Sequence, residues 1–284
     1  MLANELYNRL DEDFDIKNIR DDWSFMDFNS YIAPTFKSKY MGLILDNSHN
    51  IEKVYTATFP DKEIIEKILN TNEFDVLLFS HHAMGYRGNM EGFPFYNIPI
   101  EYLKEMKKRR ISFYMLHAPL DRNGEYSTSV NLAKALNLEV VDEFCQYDNI
   151  KVGVICKTSF KSVLDFSDYV KKVIGHDIKL RNYGELDIRK GKVAIAAGGG
   201  SYPFVATELA DLGINVYLTG FTKPLQYFEL TMEFHKIAKD NQINVIGATH
   251  YSTEKYACIS MVDYFKKLGV CAEFLEGKYF LEDL

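Results

Sequence analysis

The sequence predicts an α/β protein. Short apolar runs alternate with longer segments whose apolar residues recur at helical spacing, from about residue 54 to residue 269. Several of the runs stop at histidine, glycine or other polar residues, as strands of open α/β sheets do at the end where ligands bind. No fixed-period repeat, low-complexity tract or linker breaks the alternation, so sheet covered by helices is expected throughout.

Each element has its own local reason. Residues 1–30 are rich in Asp and Asn, and Phe14, Ile16, Ile19, Trp23 and Phe25 are expected to pack a helix and loop onto the body. Val54–Phe59 reads as a strand, after which Pro60 and Asp61 open a helix with Ile64, Ile65, Ile68 and Leu69 on one stripe. Val76–Phe79 is a continuous apolar run between polar residues, the pattern of a strand buried on both faces. It completes a β-α-β unit. Met84–Pro99 reads as loop from its Gly and Pro residues. Pro99 then starts a helix with Ile100, Leu103 and Met106 inward and basic residues outward up to Arg110. Strand Ile111–Leu116 and a helix over Ser129–Leu138, entered through Ser127 and Thr128, follow. In the second half, strands are expected at Val152–Cys156, Ile178–Tyr183, Val193–Ala197, Val216–Leu218 and Ile243–Ile246. Helices are expected near Val163–Ile174, up to Leu212, and over Leu225–Lys239. Ser252 or Thr253 can cap the last helix, which stops at Gly269.

Composition narrows the class. The 284 residues, 47% hydrophobic and 26% charged, suit one large globular domain or two ordinary ones. A net charge of −7 leaves no basic footprint for nucleic acid. The polar, acidic N-terminus lacks the apolar core of a secretory leader, and no apolar run is long enough to span a membrane. Cys145, Cys156, Cys258 and Cys271 are dispersed, without a Cys-x-x-Cys pair, so they read as reduced thiols in a cytoplasmic protein.

Chemistry concentrates at the strand ends. His81 and His82 follow the Val76–Phe79 run; inside a strand they would face opposite sides, but in a turn just past it they can converge. The plain alternatives are two partly exposed loop histidines, or a core histidine beside a surface one. Asp121 follows the Ile111–Leu116 strand, and His250 and Glu254 follow Ile243–Ile246. If these strands run parallel, all five residues lie on one rim. Three imidazoles and two carboxylates suit Zn, Mn or Fe, and five donors suit two ions with one carboxylate bridging them. Taken singly, Glu254 could be a carboxylate favoured at a helix N-terminus, and Asp121 a turn residue. His117, four residues before Asp121, is a candidate proton-transfer or supporting group, with a core or loop role as the alternative. His49, His176 and His235 have no evident partner and read as structural. Gly198-Gly199-Gly200-Ser201 reads as a tight packing turn, with anion binding as the lesser option. Pro203 stands where a dinucleotide fingerprint needs glycine, no P-loop lysine follows, and no Gly-x-Ser-x-Gly elbow occurs.

Five segments in order carry a family pattern: Leu-Leu-Phe-Ser-His81-His82, Tyr-Met-Leu-His117-Ala-Pro-Leu-Asp121, Ala-Ile-Ala-Ala-Gly198-Gly-Gly-Ser, Val-Tyr-Leu-Thr219-Gly220 and Gly-Ala-Thr-His250-Tyr-Ser-Thr-Glu254. On them the chain resembles the NGG-one-interacting-factor-three-like family, also called GTP cyclohydrolase type-two homologues. The resemblance implies two interwoven α/β domains with helices covering mixed or parallel sheets and a metal site in the cleft. It implies two divalent ions per chain, with His81, His82, Asp121, His250 and Glu254 as ligands, and often a ring-shaped homohexamer. The first lobe is expected over 1–145 with 258–284, the second over 146–257. The activity implied is a metal-dependent hydrolase, with Glu254 and His117 as catalytic residues and a metal-bridging hydroxide acting on a nucleotide-like or phosphorylated small molecule. A regulatory or scaffold protein, or a metal-handling protein without turnover, is the alternative. Departures from the family pattern are Tyr40-Met41-Gly42-Leu43 near the start, Phe59-Pro60 after the first strand, Ala83 in place of proline, and Phe221 after Thr219-Gly220. They spare the implied ligands and bear on the substrate pocket and the single shared substrate that the resemblance would imply.

Overall fold

The structure is a computed structural model and describes residues 1–27, 30–88 and 92–284. It divides into two compact units. The first comprises Met1–Arg87, Phe93–Leu120 and Cys258–Lys278; the second comprises Gly88–Gly92, Asp121–Ala257 and Tyr279–Leu284.

The first unit contains helices α1 (Ala3–Asp13), α2 (Pro34–Lys39), α3 (Lys62–Asn70) and α4 (Ile100–Lys108) and ends its central stretch in the short α5 (Ala118–Asp121). Its strands are β1 (Gly42–Leu45), β2 (Lys53–Ala57), β3 (Val76–Ser80), β6 (Ile111–Met115) and β13 (Cys271–Phe274), with a two-stranded ribbon of β4 (Gly85–Tyr86) and β5 (Phe95–Tyr96). The sheet order is β1-β6-β3-β2-β13, parallel except for β1 against β6. β3 lies at the centre and is buried along its whole length, as its unbroken apolar run requires. Ile64, Ile65 and Ile68 of α3 and Leu103 and Met106 of α4 pack on Tyr55, Leu78 and Phe113. Parallel β3 and β6 bring the residues after them, His81 and His117, to the same end of the sheet.

The second unit holds α6 (Thr128–Ala135), α7 (Val163–Ile174), α8 (Pro203–Leu212), α9 (Glu229–Asp240) and the start of α10 (His250–Lys267). Its strands are β7 (Glu139–Tyr147), β8 (Ile150–Lys157), β9 (Lys179–Arg181), β10 (Lys192–Ala196), β11 (Val216–Thr219) and β12 (Asn244–Gly247), in the order β7-β8-β10-β11-β12-β9. The inner strands β10, β11 and β12 are parallel, and β8 and β9 flank them antiparallel. Alternation along β10 serves two layers. Val193 and Ile195 meet α6 and α7 residues such as Leu132 and Phe166, while Ala194 and Ala196 meet Val205 and Leu209 of α8 and Phe234 of α9. Helix α7 starts where expected because Ser162 Oγ accepts from the Leu164 and Asp165 N–H groups, and it stops at Gly175 with φ 87°.

Several expectations need correction. β1, β7 and β13 were not foreseen: β1 and β13 are four residues each, and β7 is an edge strand with most residues exposed or half-buried. The Met84–Pro99 stretch is not wholly loop, since β4 and β5 pair within it; residues 89–91 of that stretch lie outside the described residues. Ile100 and Phe25 are exposed rather than packed inward. Helix α10 begins at His250, so Ser252 and Thr253 lie in its first turn and do not cap it. No disulfide joins the described cysteines, and burial pushes the Cys145 and Cys156 thiols up to about 12. Among the described residues no helix is long and apolar enough to cross a membrane.

Asp61, ahead of α3, ties the β4-β5 ribbon to the first unit. It accepts from the Tyr86 N–H at 2.7 Å and from the Tyr96 hydroxyl at 3.3 Å. Burial pushes its carboxyl up to about 6, against the pull of these two donors. A raised acid pKa favours the protonated folded form. Its contribution is therefore whole below about pH 4 and is lost as pH rises through the folded value, by roughly 2–3 kcal/mol. Asp61→Asn keeps an acceptor and removes the titration, so its denaturation midpoint should fall less than the wild type's between pH 4.5 and 7.5. Parallel profiles for the two proteins would contradict this.

Candidate metal-binding residues

In the first unit the turn after β3 is built by backbone bonds. The His81 N–H donates to Ala57 O, the His82 N–H to Thr58 O, and the Ser80 hydroxyl to His82 O. That turn lets two adjacent imidazoles approach, with ring centroids 4.4 Å apart. His117 joins them, 5.0 Å from each ring. One ligand nitrogen from each of the three lies within 4.8 Å of the others.

Two of the rings have their tautomer set. His81 Nδ1–H donates to Leu116 O at 2.9 Å, which leaves the buried Nε2 as the atom that can act as ligand. His117 Nδ1–H donates to Asp21 Oδ2 at 2.9 Å, and the same oxygen accepts from the Ala118 N–H. Burial would push the Asp21 carboxyl up, but the His117 ring and the N–H groups of Ala118 and Asp22 outweigh it and hold it below its usual range. His82 stacks flat on Phe59, with centroids 4.2 Å apart and planes at 10°. Trp23 stands edge-on to His82 and His117.

In the second unit, β10, β11 and β12 deliver Gly198, Gly220 and His250 to one end of the sheet. Thr249 enters α10 with φ 62°, a left-handed conformation uncommon for a β-branched residue and a mark of local strain. The Asp283 carboxylate accepts the His250 N–H at 2.9 Å and so satisfies the first turn of α10. Four residues on, the Glu254 carboxylate meets His250 Nε2 at 3.0 Å. Gly198, with φ 71°, packs against this pair; a Cβ there would lie 2.0 Å from Glu254 Oε1 and 3.3 Å from His250 Nε2. Thr253 Oγ accepts the Gly198 N–H, and the Gly220 and Phe221 N–H groups donate to Gly198 O, which locks the turn against the helix. The Thr128 hydroxyl donates to Asp121 Oδ1 at 2.8 Å and orients that carboxylate. The donor chemistry, imidazoles in the first unit and imidazole with carboxylates in the second, with oriented partners, fits a divalent transition metal or zinc.

A model of the Duf34/NIF3 (NGG1p interacting factor 3) family matches residues 27–276. The chain belongs to that family. Similar relatives include a GTP cyclohydrolase 1 type 2 homolog of Pyrococcus horikoshii, 28% identical over 80% of this chain and 86% of the relative. Another, from Archaeoglobus fulgidus, is 27% identical over 89% of this chain and 93% of the relative. Among solved structures, the protein ybgI, described as of unknown function, aligns with a TM-score of 0.75 at 17% identity, over 98% of this chain and 99% of its own. Reduced HcgD from Methanocaldococcus jannaschii aligns with a TM-score of 0.65 at 22% identity, over 98% of both chains. These structural likenesses establish the fold alone.

The structure brings His81, His82 and His117 together within the first unit, and His250 and Glu254 within the second, where Asp121 also belongs. Sequence reasoning missed Asp21, Trp23 and Asp283, which act on the site from far along the chain. Gly198, expected as part of a tight packing turn, packs directly against the His250–Glu254 pair. His176 and His235, expected to lack partners, have them. His176 Nε2 accepts from the Ser252 hydroxyl at 2.7 Å in the first turn of α10, and His235 Nε2–H donates to Thr222 O at 2.8 Å.

Gly198→Ala should force the Glu254 carboxylate away and strain the backbone, lowering stability by roughly 1–3 kcal/mol. Gly199→Ala, where a Cβ meets open space, should be near neutral. Chemical denaturation of the two variants decides the point; equal midpoints would remove Gly198 from the support of Glu254.

Proposed function

We propose that this chain is a metal-dependent hydrolase that holds two divalent ions, Zn, Mn or Fe, through His81, His82, Asp121, His250 and Glu254. The observation that carries the reading is the set of preset donors. The three histidines of the first unit cluster with the tautomers of His81 and His117 assigned by Leu116 O and Asp21, and His250 and Glu254 stand paired in the second. When bound, the ions would lower the pKa of a water to roughly 7 and polarise a substrate oxygen. Glu254 is the carboxylate we assign to both ions. His117, outside the five ligands, has Nδ1–H committed to Asp21, so its Nε2 can accept a proton and pass it on.

The substrate class we assign is a nucleotide-like or phosphorylated small molecule, on the name of the relatives as GTP cyclohydrolase 1 type 2 homologs. A cytoplasmic setting accords with cysteines that form no disulfide. The competing reading, a regulatory or metal-handling protein without turnover, draws on the burial of His81, His82 and Glu254.

Metal analysis of the purified protein should find about two divalent ions per chain. His82→Ala or Glu254→Ala should lose at least one of them, and His235→Gln should lose none. Metal-loaded protein should turn over a member of a nucleotide and phosphoester panel, and Glu254→Ala should not. Absence of metal after reconstitution with Zn, Mn and Fe would sink the reading. Metal without turnover would move the regulatory reading ahead.

We further propose a closed homo-oligomer, most simply of six chains. Phe204, Leu212, Tyr227, Leu230 and Met232 are exposed on and around α8 and α9 and supply apolar surface for such contacts. Light scattering should report a mass several times 32.8 kDa; a concentration-independent monomer would reject the assembly.

A further inference from the structure

Trp23 is the single tryptophan of the chain. It is 3% exposed, and its indole N–H has no acceptor among the described residues. Leaving a buried donor without a partner is costly, so native structures rarely keep one without a reason. The indole N–H can only donate, so the partner that would satisfy it is an acceptor. Its ring neighbours include two histidines of the cluster. The indole lies 5.2 Å from the His117 ring at 89° and 5.8 Å from His82 at 70°, with Phe25 and Phe95 on its other contacts. The loop that carries it is tied to the same place, because Asp21, two residues earlier, binds His117 Nδ1 and the Ala118 N–H. A second buried donor belongs to a neighbour of His82: Thr58, whose carbonyl takes the His82 N–H, has a hydroxyl with no hydrogen-bond partner among the described residues.

We propose that the Trp23 indole N–H is a specificity-determining donor for an oxyanion oxygen, of phosphate type, bound at the His81–His82–His117 cluster. This rests on the metal-site reading above and names the group that reads the ligand's oxygen. Trp23 binds and orients that oxygen; it does not hold metal. Hydrogen bonds to charged acceptors contribute about 1.5–3 kcal/mol, so losing this one should weaken oxyanion binding at least about tenfold.

The single indole gives a direct readout in the whole protein. Zn²⁺-loaded, ¹⁵N-labelled protein is titrated with inorganic phosphate while the one indole N–H resonance is followed. The expected result is a saturable downfield shift, with Trp23→Phe keeping its Zn²⁺ content and binding phosphate about tenfold more weakly. Zn²⁺ retained with an indole resonance that phosphate does not move would overturn the proposal and leave the metal reading standing. That is also the result if the N–H is already spent on the face of the His117 ring. Wild-type phosphate affinity in Trp23→Phe would overturn it too. Protein that retains no Zn²⁺ would overturn the metal reading and this inference with it.

Discussion

Two imidazoles buried side by side at the end of β3 set the terms for the first unit. Removing His81 and His82 from water is costly unless each ring nitrogen has work to do. The turn satisfies the backbone first, with Ala57 O and Thr58 O accepting the two N–H groups. The rings are then handled separately. His81 spends Nδ1–H on Leu116 O, at the end of the neighbouring strand β6, and His82 lies flat on Phe59. Strand pairing and site geometry are thus the same event: the parallel register of β3 with β6 puts Leu116 O and His117 beside the histidine pair.

The second unit meets a different constraint. A carboxylate and an imidazole stand 3.0 Å apart in the first turn of α10, and the turn after β10 has to come close to them. Only a residue without Cβ fits at Gly198, and its φ of 71° suits glycine for the same reason. Thr249 carries the strain of turning the chain sharply from β12 into the helix, while Asp283 satisfies the helix start from the far end of the chain. His176 supports the same turn through Ser252. Rigidity here comes from many short bonds converging on one helical turn.

Much of this was legible in the residues alone, because it is local. The buried run of β3 and the i, i+4 spacing of His250 and Glu254 each follow from neighbours in the chain. Histidines and glycines at strand ends marked the candidate chemistry before any fold was in hand. Short or exposed strands such as β1, β7 and β13 left no such trace, since their apolar pattern is brief or broken by charge.

What only the tertiary structure decided is long-range. Asp21 lies 96 residues from His117 in the chain and Asp283 33 residues from His250, and no periodicity or motif links either pair. The Ser252 or Thr253 cap expected at α10 gave way to Asp283, because the helix starts earlier, at His250, whose N–H donates to the Asp283 carboxylate. Trp23 read as one more aromatic packing on the body, and only its surroundings show a buried donor beside two histidines. Sequence determined which residue types end the strands, because local propensity and burial act over a few residues. Which distant carboxylates and donors serve them was decided by packing, which spacing along the chain does not encode.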